Sequence, residues 1–571
     1  MGPGGKIDRE FLRGYELPRG AAGEPPRGPT ETMIADFWVE ALDLPGIGRD
    51  GDFFDAGGDS LTGAIVAAEI HAAFGIEISL AALAAHPTVS ALAAHVDAER
   101  KSSARRLPPI VSVSRTEPIP LSPYQERVWR ALERRPGYAV IARSYDISGP
   151  VDVKVMEECF RYLVDRHEIL RTTFAVVDGQ PAQIVHPSAP LGFSFVDVSG
   201  EENPEAAAEL IYRTEAAKLI DPAVLPVMRL LLVRIGEEKH WLMRAGHALG
   251  QDASSFTIIM NEFAALYDAG VGGMAPPIPK DMPLQYADYA VWHREFMRPD
   301  GVAYQQMLDW WKQIFAKRLR TTRLPRHKAS QASDADPSQA TLRWRLENGF
   351  GEQLDTTARR AGATHFVIRL ACFVALLADM TGRSTVVLGT SFTYRQRSDT
   401  RNIAGLFTNL APLVFSYRSD LVLSDWVEMV RDRLFETERH AELPLEALYG
   451  ELRAAGLRPP SIQVVFTMAS DWPEQRISGI VMKRRPPPLA EMPWGCQVYI
   501  DQKKPANCRV DFDANLYRPD DMQAMTARYV RLLEAAAEHP NLPIGKLVAL
   551  TSDSRLRQIA TRIKIALARR N

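Results

Sequence analysis

From Thr30 onward apolar residues recur at helical spacing, with Ile34, Phe37, Trp38, Ala41 and Leu42 on one face. A Gly- and Asp-rich stretch from Gly46 to Asp59 interrupts the pattern. It resumes with Leu61, Ile65, Ala68 and Ala72, marking a second helix that starts just after Ser60. Two shorter helical stretches follow, Leu80–Ala85 and Val89–Val96. Residues 30–98 therefore read as a small four-helix bundle. On either side, residues 10–29 hold four prolines and residues 101–120 are polar, basic and proline-bearing. Both read as linkers.

Residues 121–550 alternate helix and strand patterns. Val153–Val164, Pro204–Leu219, Ser255–Tyr267 and Thr364–Thr381 have the helical period. Gln183–Val185, Met228–Ile235, His240–Ala245 and Thr385–Thr390 read as strands. The polar segment His327–Gln339 reads as a mobile loop. No internal repeat argues by itself for two similar lobes. The expected class is multidomain: an all-α bundle followed by an α/β region. A chain of 571 residues suggests three or four core units.

Charge and cysteine usage narrow the function. The net charge of -2, from 68 basic and 70 acidic residues, gives no electrostatic reason to propose nucleic acid or a membrane surface. Phe366–Met380, the longest apolar run, contains Arg369 and is too short to span a bilayer. Cys159, Cys372, Cys496 and Cys508 have no metal-ligand spacing and fit a reducing, cytoplasmic setting.

The stretch Phe53-Phe54-Asp55-Ala56-Gly57-Gly58-Asp59-Ser60-Leu61 places a serine between a Gly-rich turn and a helix start. Backbone N–H groups and the helix dipole favour an anion there, and Gly57 and Gly58 permit a tight turn. A bare Asp-Ser before a helix is most often only an N-cap. Here the whole nine-residue stretch resembles the attachment sequence of a peptidyl carrier domain. That resemblance implies 4'-phosphopantetheine joined covalently to Ser60, with Asp59 and Leu61 flanking it.

A second resemblance covers most of the remaining chain. Leu121-Ser122-Pro123-Tyr124-Gln125-Glu126-Arg127-Val128-Trp129, Asp165–Phe174 (DRHEILRTTF), Tyr286–Trp292 (YADYAVW), Ile403–Asn409 (IAGLFTN) and His440–Glu446 (HAELPLE) are similar, in order, to the motifs of nonribosomal peptide synthetase condensation domains. The resemblance implies two chloramphenicol-acetyltransferase-like lobes in a V, with a tunnel between them. We place the N-terminal lobe at 121–290 and the C-terminal lobe at 291–550, with linkers at 99–120 and 551–571. His167, Glu168, Trp129, Tyr286 and Trp292 are read as structural.

The family's active motif is His-His-x-x-x-Asp-Gly, and the matching stretch is His247-Ala248-Leu249-Gly250-Gln251-Asp252-Ala253. The strand from His240, and the spacing of Ser255, Glu262, Leu266 and Tyr267 from Asp252, favour this register over the alternative with His247 as the second histidine, which would put Gln251 where the aspartate belongs. His247 matches the first histidine and Ala248 replaces the second, the family's general base or amine-positioning group. Asp252 resembles the aspartate of a structural ion pair whose partner matches Arg395. Strand alternation puts Arg244 and Gly246 on the same side as residue 248. If that side faces the tunnel, the small residues widen it. Arg244 then either contacts an acidic or carbonyl group of a tethered chain or pairs with a neighbouring acid.

The resemblances together imply peptide-bond formation. A donor thioester on Ser60 is joined to the amine of an amino acid on a downstream acceptor carrier, in a site weakened by Ala248. The alternative is a catalytically silent platform that recruits a tailoring enzyme to the loaded carrier. Implied partners are an upstream adenylation domain, whose last motif Gly5-Lys6-Ile7-Asp8-Arg9 resembles, a downstream adenylation domain and acceptor carrier, and a phosphopantetheinyl transferase. The chain is read as a monomeric fragment of a longer assembly line, with no metal.

Overall fold

The computed structural model describes residues 24–551 except 59, 75, 77, 79, 102–107, 135–139, 326–338, 348, 396, 470–473, 486–494 and 502–505. The adenylation-like residues 5–9, Asp59, nearly all of the polar segment 327–339 and the end from 552 onward lie outside the described residues.

The first unit is a bundle of α1 (Gly28–Leu42), α2 (Ser60–Phe74), α3 (Leu80–Ala85) and α4 (Val89–Lys101). Its core forms from the periodic positions of these helices plus the loop residues Phe53 and Phe54. Trp38 and Phe53 meet edge to face at 5.1 Å. Gly57 takes φ +100°, and a Cβ on Gly58 would lie 2.2 Å from the Phe53 ring, so the turn before Ser60 accepts only glycine at both places.

The second unit begins with β1 (Ile119–Pro120), α5 (Pro123–Arg134), β2 (Val140–Ser148) and α6 (Val153–Arg166). There follow β3 (Thr172–Val177), β4 (Gln180–Val185), β5 (Gly192–Asp197), α7 (Pro204–Ala216), β6 (Met228–Gly236), β7 (Lys239–His247), α8 (Ala253–Val271) and α9 (Tyr286–Phe296). The next stretch runs α10 (Val302–Phe315), β8 (Gln339–Arg345), α11 (Phe350–Arg360), α12 (His365–Thr381), β9 (Thr385–Thr393) and β10 (Thr408–Ser416). The last elements are α13 (Leu423–Glu438), α14 (Leu445–Ala454), β11 (Val464–Ala469), β12 (Gln475–Ile477), β13 (Ile480–Arg485), β14 (Cys496–Asp501), β15 (Asn507–Asp513), α15 (Pro519–Glu538) and α16 (Ile544–Leu550).

Two six-stranded sheets organise these elements. One has the order β12-β13-β2-β7-β6-β5, the other β10-β9-β11-β14-β15-β8, and a small sheet β1-β4-β3 flanks the first. Each large sheet has its own apolar core, one against α6 and α8 and one around α12. Helix α12 is buried on nearly every side, which explains its apolar run. Its start is capped by Thr364, and Gly382 ends it in the left-handed conformation. Arg369 is fully buried within it and pairs with Asp355 at 2.6 Å. No single helix among the described residues is long and apolar enough to cross a membrane.

One expectation needs correction. The lobes do not divide at residue 290. β13, within residues 475–485, pairs through Met482–Ile147 and its neighbours with β2, and β12 pairs with β13, so the two complete the first sheet. Ile403, Ala404, Leu406 and Phe407 also pack into the first core. The carrier also extends further than 98, because α4 continues to Lys101.

Candidate functional site

Ser60 is the first residue of the fifteen-residue helix α2. The first-turn amides of such a helix lack intrahelical acceptors, so the position suits a phosphodiester. The φ-positive Gly57 and the packing of Gly58 against Phe53 fix the approach of the chain to it. These features fit a phosphopantetheine arm held through Ser60.

The carrier rests against the second unit. Arg401 donates to Glu69 at 2.8 Å and to the Ile65 carbonyl at 3.1 Å, both on α2. Helix α2 lies beside the turn 398–400, and α3 beside α13. His71 is near Arg397, and burial followed by that charge lowers its pKa.

At the motif, β7 ends at His247 and α8 begins at Ala253, with the chemistry-bearing residues between them. His247 is 3% exposed, and its Nδ1 accepts from the Leu249 N–H at 3.1 Å. That bond leaves the neutral ring's proton on Nε2. Ala248 follows, half-buried against the first core. Asp252 caps α8: its Oδ1 accepts from the Ser255 N–H and hydroxyl, each at 2.9 Å. Oδ2 accepts from Arg395 Nη1 at 2.5 Å, the Phe407 N–H at 3.0 Å and the Thr408 hydroxyl at 3.1 Å. Arg395 also stacks over the Phe407 ring at 4.2 Å. Burial raises the Asp252 pKa, but the Arg395 charge and these hydrogen bonds outweigh it, and the net shift is downward. Oδ1 is thus spent on capping α8, and Oδ2 on joining α8 to the segment 395–408.

The widened space expected at Gly246 is filled. A Cβ there would lie 2.2 Å from Gln251 Nε2, so the glycine makes room for that buried amide. Arg244 is fully buried, and the neighbouring acid offered as its alternative partner is not what it meets. Its Nη2 donates to Gln251 Oε1 at 2.9 Å, its Nε approaches Met228 Sδ at 3.1 Å, and its guanidinium lies over Phe256 at 4.2 Å. Gln251 had no signal in the sequence, because its role depends on the missing side chain at 246.

The other motifs form a scaffold. His167 bonds Glu262 at 2.7 Å, and Arg166 reaches the same carboxylate at 3.2 Å. Glu168 and Asp288 share Arg115, at 2.7 and 2.8 Å. Tyr286 is core, while Trp129 and Trp292 are half-buried, their indoles donating to Glu133 and to the Pro108 carbonyl. All four cysteines are buried thiols.

Comparison with known proteins places this architecture. The condensation domain model matches residues 115–559, and the phosphopantetheine attachment site model matches 34–96. One of the linear gramicidin synthase subunits of Brevibacillus parabrevis is 29% identical over 97% of the chain, and surfactin synthase subunit 1 of Bacillus subtilis (strain 168) is 28% identical over 98%. The chain spans only 7% and 15% of their lengths. Among solved structures, the complex of the X-domain and OxyB from teicoplanin biosynthesis aligns with TM-score 0.66 at 24% identity, covering 78% of this chain and 99% of that one. The first condensation domain of the calcium-dependent antibiotic synthetase, in complex with a substrate analogue, aligns with TM-score 0.64 at 22% identity, over 76% and 99%. The chain belongs to the condensation-domain family and carries, ahead of that domain, a phosphopantetheine-bearing carrier of the nonribosomal peptide synthetase type.

Proposed function

We propose that the second unit is a binding platform that holds the chain tethered at Ser60 between its lobes and does not itself catalyse amide formation at an appreciable rate. The arm, when bound, supplies a thioester on a long tether; the residues of this chain supply docking and enclosure. One observation carries the reading: the motif offers no proton acceptor to an incoming amine. Ala248 has none, the His247 Nδ1 is engaged by the Leu249 amide, and Asp252 is committed to Arg395, Phe407, Thr408 and Ser255. A positioned general base is worth about 10²–10⁴-fold. The X-domain of the same fold has been solved with OxyB bound, and an analogous recruitment of a tailoring enzyme to the loaded carrier is the use proposed here.

A second reading is condensation by positioning alone. The carrier contact at Arg401 favours it, because it seats the carrier against the domain that would act on its thioester. Proximity alone is worth up to about 7–11 kcal/mol in good geometry.

The deciding experiment loads an aminoacyl-pantetheine arm, confirms its place at Ser60 by intact mass and by its loss in Ser60→Ala, and adds loaded acceptor carriers. We expect no dipeptide above background from the unaltered chain, and a gain of no more than about 10²–10⁴-fold in Ala248→His. Dipeptide formed by the unaltered chain at a rate that Ala248→His does not raise would establish the second reading instead.

A further inference from the structure

The two large sheets bring arginines together where their strands face one another. On the first sheet Arg143 lies directly across from Arg244, and Arg484 across from Tyr145, two residues along the same face from Arg143. On the second sheet Arg509 sits between Arg343 and Tyr499, and Asn507 pairs with Arg345. A cavity of about 430 Å³ is lined by Arg343, Arg345, Arg509, Tyr499, Asp501 and Asn507, among others. Arg509 continues this wall toward the first sheet, because its charge acts on both Arg143 and Arg484.

Along these two strand faces lie six arginines, Arg143, Arg244, Arg484, Arg343, Arg345 and Arg509, and the second-sheet group has Asp501 and Asp511 beside it. Asp511 is already engaged by Arg509 at 3.3 Å and the Thr341 hydroxyl at 2.8 Å. Arg143 and Arg244 flank Phe256, with guanidinium carbons 5.1 and 4.2 Å from its ring centroid. Arg244 Nη1 is buried without a hydrogen-bond partner. Burial lowers the pKa of Arg143, of Arg244 to about 10 and of Arg484 to about 9, with neighbouring arginines adding to it. Concentrated, partly desolvated positive charge is costly unless an anion joins it. Arginine forks suit a carboxylate.

We propose that this arginine-walled space between the sheets binds the carboxylate of an acidic chain carried on the arm at Ser60. The proposal deepens the platform reading and rests on it, since a tethered chain must enter between the lobes. It makes the tethered residue an acidic one, and it makes the site selective for its charge.

The test uses the whole chain and stable thioether analogues of pantetheine that end in a glutarate-like acid or in its amide isostere. Titration calorimetry measures each dissociation constant. The acid should bind about 10–100-fold more tightly than the amide, as expected for charge-assisted hydrogen bonds. Arg143→Gln and the exposed Arg343→Gln should each reduce that preference several-fold and leave amide binding unchanged, with thermal melting confirming the fold. Equal binding of acid and amide, or a preference that survives both substitutions, overturns the proposal while leaving the platform reading intact. Failure of both analogues to bind overturns the two together. If a 4'-phosphate strengthens acid and amide equally, and the arginine variants remove only that gain, the anion is the arm's phosphate and the carboxylate assignment falls.

Discussion

Asp252 shows what one buried carboxylate can hold. Removing its partner leaves a charge without compensation in a dry place, which typically costs about 3–5 kcal/mol. Arg395→Met should therefore lose about that much at pH 7 in urea denaturation. The pH dependence follows from the direction of the shift. In the unaltered protein the pKa lies below the ordinary 3.8, so its contribution is present above that value and is lost as pH falls through the folded value. In Arg395→Met the arginine charge no longer opposes burial and only the hydrogen bonds from Ser255, Phe407 and Thr408 do, so the pKa rises and the deficit, largest near neutrality, shrinks as pH falls toward 3. A deficit that stays constant from pH 7 to 3 would show that the pair is electrostatically idle. At this scale the motif made Ala248, Asp252 and Arg395 legible. The partners of Arg244 were not, because a glycine two residues away determines what fills the space beside it.

At the scale of elements, the contact of α2 with Arg401 gives the carrier a preferred seat. Both side chains of the Arg401–Glu69 pair remain about a third exposed, so the bond is worth about 0–1 kcal/mol. Weak contacts of this size suit a carrier that must leave. Arg401→Glu should shift the backbone amide resonances of residues 65–71 toward those of the free carrier, and Glu69→Arg in the same chain should return them. Unchanged resonances in the single variant would remove Arg401 from the docking surface. Helix existence was well marked in the sequence: the pattern places α2 just after Ser60 and α12 at the apolar run. Ends were less certain, and α4 and α8 both run longer than their apolar periods, continuing in polar or small residues. β12 and β13 left no readable signal, since β2, the partner of β13, lies more than 300 residues earlier and short strands carry no record of whom they pair with.

The whole molecule rests on that distant pairing. Without β13, β2 becomes an open edge with unpaired backbone groups, a template for association between chains. Residues 108–325 produced alone should therefore aggregate or elute as large species in size-exclusion chromatography. The same segment with residues 474–485 returned on a peptide linker should elute as a monomer. A well-behaved monomer from the shorter piece would show that the strands contribute little. The two-lobed form implied by the resemblance is present as two sheets, but its division along the chain is not a single cut.

The weave of β12 and β13 into the first sheet also bears on how such proteins can be recombined. A crossover placed between the lobes would unite a first sheet from one parent with its completing strands from the other, mismatching Met482 against Ile147 and Arg484 against Tyr145. Viable exchanges must carry both lobes as one inheritance unit, with their seams in the linker after the carrier or beyond α16.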